Sequence, residues 1–303
     1  MKKVALVIDN SGYLSEEEKQ KLNIVKEVPI SFIVNDEEYY EGVNMSYTQF
    51  HKFLKDKNTT VSTSQPSLEI VKDAWRAVLK NYDEIVYMLL SSGLSEACNS
   101  ALNASHEEEF EGKVFVVNNG RVSYMQKFQI YQASELIKQG KNAKEIKDYL
   151  EDCKLEAAAY IAVDTLKYLK KGGRITPAAA AIGTLLNIKP ILQVRSGKLD
   201  SFAKCMSMKQ ARIKMIQATR KEVEEKFADE AKKGHVYIAI AHAQTDLNTP
   251  ELEDFVKEVK QAFADFPFFH TDPLPLFVQC HTGPGALACG YAVDRLGVIK
   301  DMI

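Results

Sequence analysis

Short apolar runs alternate with helical patterns along the first half of the chain, and this alternation limits the fold more than any other feature. Val4–Ile8, Ile85–Leu90 and Val114–Val117 are apolar throughout, as is typical of buried parallel strands. Apolar residues recur at helical spacing before the second run, over Ile70–Leu79, and helical segments follow the second and third runs. Such alternation predicts a parallel sheet with helices on both faces.

Capping patterns and polar turns divide the rest of this half. Ser15 and Ser46 each begin a capping box, which predicts two further helices. Strands are predicted over Val25–Val34 and Glu38–Tyr40, on either side of a polar turn. A short helix over Asn142–Lys154 is predicted at the junction with the second half.

The second half also mixes strands and helices, and it contains a hairpin, because Arg195-Ser196-Gly197 is a turn sequence between two strand-like segments. The predicted elements are a strand over Ala158–Val163, a helix ending at Gly172-Gly173, strands over Ile188–Val194 and Lys198–Lys204, a helix over Ser207–Lys233, a strand over Val236–Ala241, a helix over Pro250–Phe263 and a strand near Phe268. A chain of 303 residues fits two domains, which we place at residues 1–154 and 155–303. We therefore predict an α/β fold with a parallel-sheet N-terminal domain and a mixed α/β C-terminal domain.

Charge and composition exclude several function classes. A net charge of −2 gives no general reason to bind nucleic acid, and no apolar run approaches the length of a membrane span. The run after Met1-Lys2-Lys3 is too short for a secretory signal, so we expect a cytoplasmic protein. Its five cysteines are widely spaced and odd in number, which favours free thiols. No histidines stand at i, i+3 or i, i+4, so we expect no metal site. We also expect no cofactor.

Five clusters rich in hydroxyl, glycine or histidine residues are the candidate binding features. They are Asp9-Asn10-Ser11, Thr63-Ser64-Gln65-Pro66-Ser67, Ser91-Ser92-Gly93-Leu94-Ser95, Gly172-Gly173-Arg174-Ile175 and His281-Thr282-Gly283-Pro284-Gly285. Two of them stand where a strand is predicted to pass into a helix, and free amides and the helix dipole favour an anion there. From the residues alone, these serines and Thr63 are equally suited to capping helices, and Arg174 to a solvated helix end.

In this order the clusters resemble those of the DegV family, whose members include the fatty-acid-binding subunits of bacterial fatty acid kinase. The resemblance runs from Val4 to the His281 cluster and includes Tyr168–Ile175 and Leu185–Leu192. It implies that Thr63, Ser92 and His281 hold a fatty-acid carboxylate. By the same resemblance, the wider site comprises Ser64, Ser91, Asn119, Arg174 and Gly283, with Arg174 handling an acyl phosphate.

The resemblance also implies a carrier rather than an enzyme. The ligand would be a long-chain fatty acid, and a separate ATP-binding kinase subunit would phosphorylate it. Acyl phosphate would then pass to membrane acyltransferases for phospholipid synthesis, with transient contact at the membrane surface. The charge-free stretch Ile175–Ile188 would line the acyl tunnel, together with Leu192, Phe202 and Met206. Taken by itself, that stretch is equally typical of a core helix.

Two other function classes stay open at this point. One is a serine hydrolase with Ser92 as nucleophile, His281 as base and Asp9 orienting the histidine. The other is an interaction protein with an empty pocket. Glu96-Ala97 stands where the family commonly has Gly-Thr, and an acid at this position would repel a carboxylate if it faced inward.

Overall fold

The computed structural model describes residues 2–56, 58–176, 188–195, 197–244 and 249–301. Most of the predicted tunnel stretch, residues 177–187, and the turn residue Ser196 lie outside the described residues.

A parallel sheet occupies the first half of the chain, as predicted. Its strands are β1 (Val4–Ile8), β2 (Ile24–Glu27), β6 (Glu84–Met88) and β7 (Val114–Val117), in the order β2-β1-β6-β7. All neighbouring pairs are parallel, and β1 and β6 are buried along their whole length. The continuous apolar runs therefore correspond to strands covered on both faces.

A second, antiparallel sheet of three strands lies beside it. The strands β3 (Ser31–Val34), β4 (Glu37–Tyr39) and β5 (Val61–Ser64) take the order β4-β3-β5. The prediction of one element over Val25–Val34 was wrong, because β2 and β3 belong to different sheets. The alternative that Thr63 and Ser64 cap the next helix is excluded, since both residues pair with β3 and Ser67 is the N-cap of that helix.

The second half of the chain forms a six-stranded mixed sheet. Its strands are β8 (Ala157–Ala162), β9 (Lys189–Arg195), β10 (Lys198–Cys205), β11 (Val236–His242), β12 (Phe268–Pro273) and β13 (Leu287–Val293), in the order β10-β9-β8-β13-β11-β12. The predicted β9–β10 hairpin is confirmed, and only β11 and β12 pair in parallel among these strands. The central strand β13 had no sequence prediction.

Helices of the described residues pack against these sheets. They are α1 (Glu16–Lys21), α2 (Tyr47–Lys55), α3 (Leu68–Leu79), α4 (Ala97–Ser105), α5 (Tyr124–Lys138), α6 (Ala143–Asp152), α7 (Lys167–Gly172), α8 (Met208–Lys226), α9 (Ala228–Lys232), α10 (Pro250–Ala262) and α11 (Leu276–Thr282). The helix predicted over Ser207–Lys233 is interrupted at Phe227. The backbone angles of Phe227 are not helical, and this residue separates α8 from α9. His281 lies in the last turn of α11.

Helix α5 lies between the parallel sheet and the six-stranded sheet and is buried on nearly every side. A helix that is covered all round must pack between layers rather than on a surface. Phe128 packs against Tyr237 of β11 and Phe269 of β12, with ring centroids 5.5 Å and 5.1 Å apart. Lys127 is 2% exposed and pairs with Glu18 and Asp272, which come from opposite halves of the chain.

One hydrophobic cluster therefore runs through both halves, from Leu6 on β1 to Ala288 on β13. The division of the chain at residues 154 and 155 stays a prediction. It falls within a short 3-10 turn, Cys153–Leu155, which links α6 to β8.

Candidate functional site

An apolar cavity of about 410 Å³ lies between the two halves of the chain. Residues of both halves line it, among them Ile30, Leu90, Val122, Ile161, Ala241 and Ala288. A cavity of this size, mostly apolar with few polar groups, is typical of a small-molecule site.

Thr63 and His281 meet in the lining of this cavity. Thr63 Oγ1 lies 2.9 Å from His281 Nε2, and we call these two residues the Thr63–His281 pair. β5 supplies the threonine and the last turn of α11 supplies the histidine, 218 positions further along the chain. When Nε2 carries the proton and donates to Oγ1, the threonine hydroxyl is free to donate to a ligand.

The imidazole of His281 is neutral at pH 7. Burial, with a smaller contribution from the positive charge of Arg174, lowers the pKa of His281 to about 4. Among the described residues, no hydrogen-bond partner reaches Nδ1 of this ring. A bound carboxylate would favour the charged imidazole and raise the pKa of His281.

Two glycines leave space for ring side chains, Gly172 for His281 and Gly283 for Tyr168. A Cβ placed on Gly172 would lie 2.0 Å from His281 Nδ1, so no side chain fits there without displacing the ring. Gly283 follows α11 with φ of +73°, and a Cβ there would lie 2.4 Å from the ring of Tyr168. Gly172 therefore determines where the His281 ring lies, and Gly283 leaves room for the ring of Tyr168.

Among the described residues, the cavity reaches the protein surface at three side chains. Gln65, Glu96 and Arg174 are exposed and also line the cavity, and we call them the rim residues. Arg174 donates from Nε to the carbonyl oxygen of Leu94 and from Nη1 to that of Gly172, at 3.2 Å and 2.6 Å. The rim therefore carries one acidic and one basic side chain.

The structure brings together half of the residues predicted for the site. Thr63, Ser64, Arg174 and His281 line the cavity. The lining formed by the described residues does not include the other four, Ser91, Ser92, Asn119 and Gly283.

The hydroxyl and amide groups in this second set have protein partners. Ser91 Oγ donates to the carbonyl oxygen of Gly197 in the β9–β10 hairpin at 3.1 Å, and Ser92 Oγ donates to Asn118 Oδ1 at 2.9 Å. Asn119 Nδ2 donates to Gln126 and Gln129 of α5. These contacts fix the loops at the carboxyl ends of β6 and β7.

A serine hydrolase would need Ser92, His281 and Asp9 in one chain of hydrogen bonds. Instead, His281 contacts Thr63, and the Asp9 carboxylate accepts hydrogen bonds from Ser11 and from the backbone of Leu90. Burial raises the pKa of Asp9 to about 6. Among the described residues, the geometry does not assemble this triad.

Ser123 is a lining residue that the sequence did not indicate. It has a φ of 57°, is 4% exposed and stands at the start of α5. No sequence motif points to Ser123. Its distinguishing features are its backbone conformation and a hydroxyl that has no hydrogen-bond partner among the described residues.

Within the described part of the chain, no group of three or more histidine, cysteine, aspartate or glutamate residues is placed to hold a metal ion. No helix in that part combines the length and apolar character that crossing a bilayer requires. Its cysteines are free and buried.

Fold and site together define an α/β protein with an apolar cavity between a parallel and a mixed sheet. The chain belongs to the DegV family: the family model described as "uncharacterised protein, DegV family" matches residues 3–294. The resemblance of the clusters and the predicted fold class are thereby confirmed.

Relatives match along almost their whole length. Protein DegV of Bacillus subtilis is 29% identical, over 94% of this chain and 97% of the relative. A DegV domain-containing protein of Listeria monocytogenes is 31% identical, over 96% and 99%. The family match therefore involves both halves of the fold.

Solved structures of two relatives are described as fatty acid binding. A DegV family protein from Thermus thermophilus has a TM-score of 0.81 at 26% identity, covering 96% of this chain and 99% of that one. Bacillus subtilis DegV, described as a fatty acid binding protein, has a TM-score of 0.79 at 26% identity, covering 97% and 100%.

Proposed function

We propose that this protein binds one long-chain fatty acid and presents the carboxylate to a separate kinase for acyl-phosphate formation. The observation that carries the proposal is the apolar cavity with the Thr63–His281 pair in its lining. The acyl chain would occupy the apolar part, and the carboxylate would lie at the pair. Related proteins of this fold that are described as fatty acid binding support the same ligand class.

The energetics of the cavity favour an acyl chain. Each methylene moved from water into apolar surroundings contributes ~0.8 kcal/mol, so a chain of about fifteen contributes on the order of 12 kcal/mol before ordering costs. The polar residues of the site then select for a head group that accepts hydrogen bonds. In this proposal the acyl phosphate would pass to acyltransferases during transient contact at the membrane surface.

Purified protein is the direct test of the ligand. We expect native mass spectrometry, followed by lipid extraction, to recover about one acyl chain per protein. A preparation that is free of lipid and also fails to bind added palmitate would contradict the proposal.

Thr63→Ala and Ser92→Ala should weaken fatty acid binding to different extents. Thr63→Ala removes a hydroxyl from the cavity lining, and a buried oxygen left without a donor costs ~1–3 kcal/mol. Ser92 already donates to Asn118, so a carboxylate must compete for this hydroxyl and the loss should be smaller. Isothermal titration with palmitate measures both. Equal affinities for wild type and Thr63→Ala would remove Thr63 from the site.

Arg174→Ala separates holding the ligand from processing it. Arg174 is a rim residue, and an acyl phosphate brings extra negative charge to which a guanidinium binds well. We expect the variant to retain fatty acid but to lose much of the phosphorylation by the kinase and ATP. Lipid occupancy and acyl phosphate are measured on one preparation. Normal phosphorylation of the lipid-loaded fraction would show that Arg174 has no part in this step.

A further inference from the structure

Ser123 has a backbone conformation that is unfavourable for its residue type. Its φ of 57° and ψ of −141° are backbone angles that glycine adopts easily. Residues that carry a Cβ adopt them only under strain. Its backbone is held on both sides. Ser123 N donates to the carbonyl oxygen of Ser11 at 2.8 Å, and the Ser123 carbonyl accepts from Gln126 N and Lys127 N.

The side chain of Ser123 adds a second unfavourable feature. Ser123 precedes α5 at the N-cap position, but its hydroxyl makes no capping hydrogen bond. The residue is 4% exposed, and Oγ has no hydrogen-bond partner among the described residues. A buried hydroxyl without a partner lowers stability. Because Ser123 is both strained and without a hydrogen-bond partner for its hydroxyl, it does not stabilise the ligand-free protein.

The surroundings of Ser123 show where a partner for its hydroxyl would come from. Val122, Ser123, Tyr124 and Met125 all line the apolar cavity, so the start of α5 borders it. This helix has 15 residues, and the first amides of a helix have no acceptor within it. Those amides and the helix dipole favour a negative charge at this position.

We propose that Ser123 Oγ and the first amides of α5 donate hydrogen bonds to the carboxylate of the bound fatty acid, together with the Thr63–His281 pair. The inference rests on the proposed fatty acid ligand and adds a residue that no motif indicated. The ligand supplies the acceptor that the hydroxyl lacks. In the complex, the hydrogen bond from Ser123 Oγ to the ligand therefore offsets the cost of the strained backbone conformation.

Two variants separate the hydroxyl from the backbone. Ser123→Ala removes the hydroxyl and keeps a Cβ in the strained conformation, whereas Ser123→Gly removes both. Palmitate and hexadecanol serve as probes, because they have the same chain length and only palmitate carries a carboxylate. Affinities are measured by titration calorimetry at pH 8, and the unfolding temperature of delipidated protein is measured by calorimetric scanning.

We expect both variants to bind palmitate about tenfold more weakly than wild type, with a smaller loss for hexadecanol, because its neutral oxygen accepts weaker hydrogen bonds than a carboxylate does. Delipidated Ser123→Gly should also unfold at a higher temperature than wild type, because the strain is relieved. Unchanged palmitate affinity in both variants would overturn the inference, as would an equal loss for palmitate and hexadecanol. If wild-type protein binds neither probe, the proposed function itself fails and this inference fails with it.

Discussion

Gly172→Ala should reduce fatty acid affinity by roughly ten- to a hundredfold, since overpacking at a fixed site costs ~1–3 kcal/mol. The new Cβ would lie 2.0 Å from His281 Nδ1 and 2.7 Å from Cε1, so the ring must leave its place beside Thr63. Alanine is a better helix former than glycine, so helix propensity does not account for a loss. Titration with palmitate measures the effect.

Gly173 provides the matched control for this variant. It is the next residue, and a Cβ there meets nothing within 4 Å among the described residues. Its φ of +66° suits asparagine, which tolerates the left-handed region. Gly173→Asn should therefore retain affinity. If both variants bind palmitate as tightly as wild type, the position of His281 is not important for binding.

Ala288→Leu should shift the preferred acyl chain to a shorter length. Ala288 is 3% exposed on the central strand β13, and it pairs with Ala241 of β11 and Ile161 of β8, which also line the cavity. A leucine would displace about three ligand methylenes, which corresponds to about 2.4 kcal/mol or roughly fiftyfold in affinity for a chain that fills the cavity.

A series of saturated acids from ten to eighteen carbons checks this expectation. The affinity for the shortest acid is the internal control, because it does not need the space that leucine takes. The same chain-length profile in wild type and Ala288→Leu would show that the acyl chain does not lie against β13.

The parallel strands could be predicted because burial on both faces leaves a continuous apolar run. The hairpin near Gly197 was also predictable, since its turn residues stand between two strand-like segments. The strand Val61–Ser64 could not be recognised in this way. It is polar and only partly buried, and its pairing with β3 depends on a segment about thirty positions away.

The candidate site was predictable in its residue types but not in its contacts. Thr63 and His281 were indicated by resemblance, and the structure places them side by side. Ser91 and Ser92 had the same sequence signals, yet their hydroxyls bond to Gly197 and Asn118. A hydroxyl in a loop has several partners within reach, and only the tertiary structure decides between them.

The buried ion cluster of Lys127, Glu18 and Asp272 has an evolutionary consequence. Its lysine is 2% exposed, and its acids come from α1 and β12. Removing one member of such a cluster leaves an uncompensated buried charge, whereas replacing all members with well-packed apolar residues is often neutral or stabilising. Substitutions at these positions are therefore epistatic. Members of the family should therefore either retain all three residues or replace all three, so the three positions should covary.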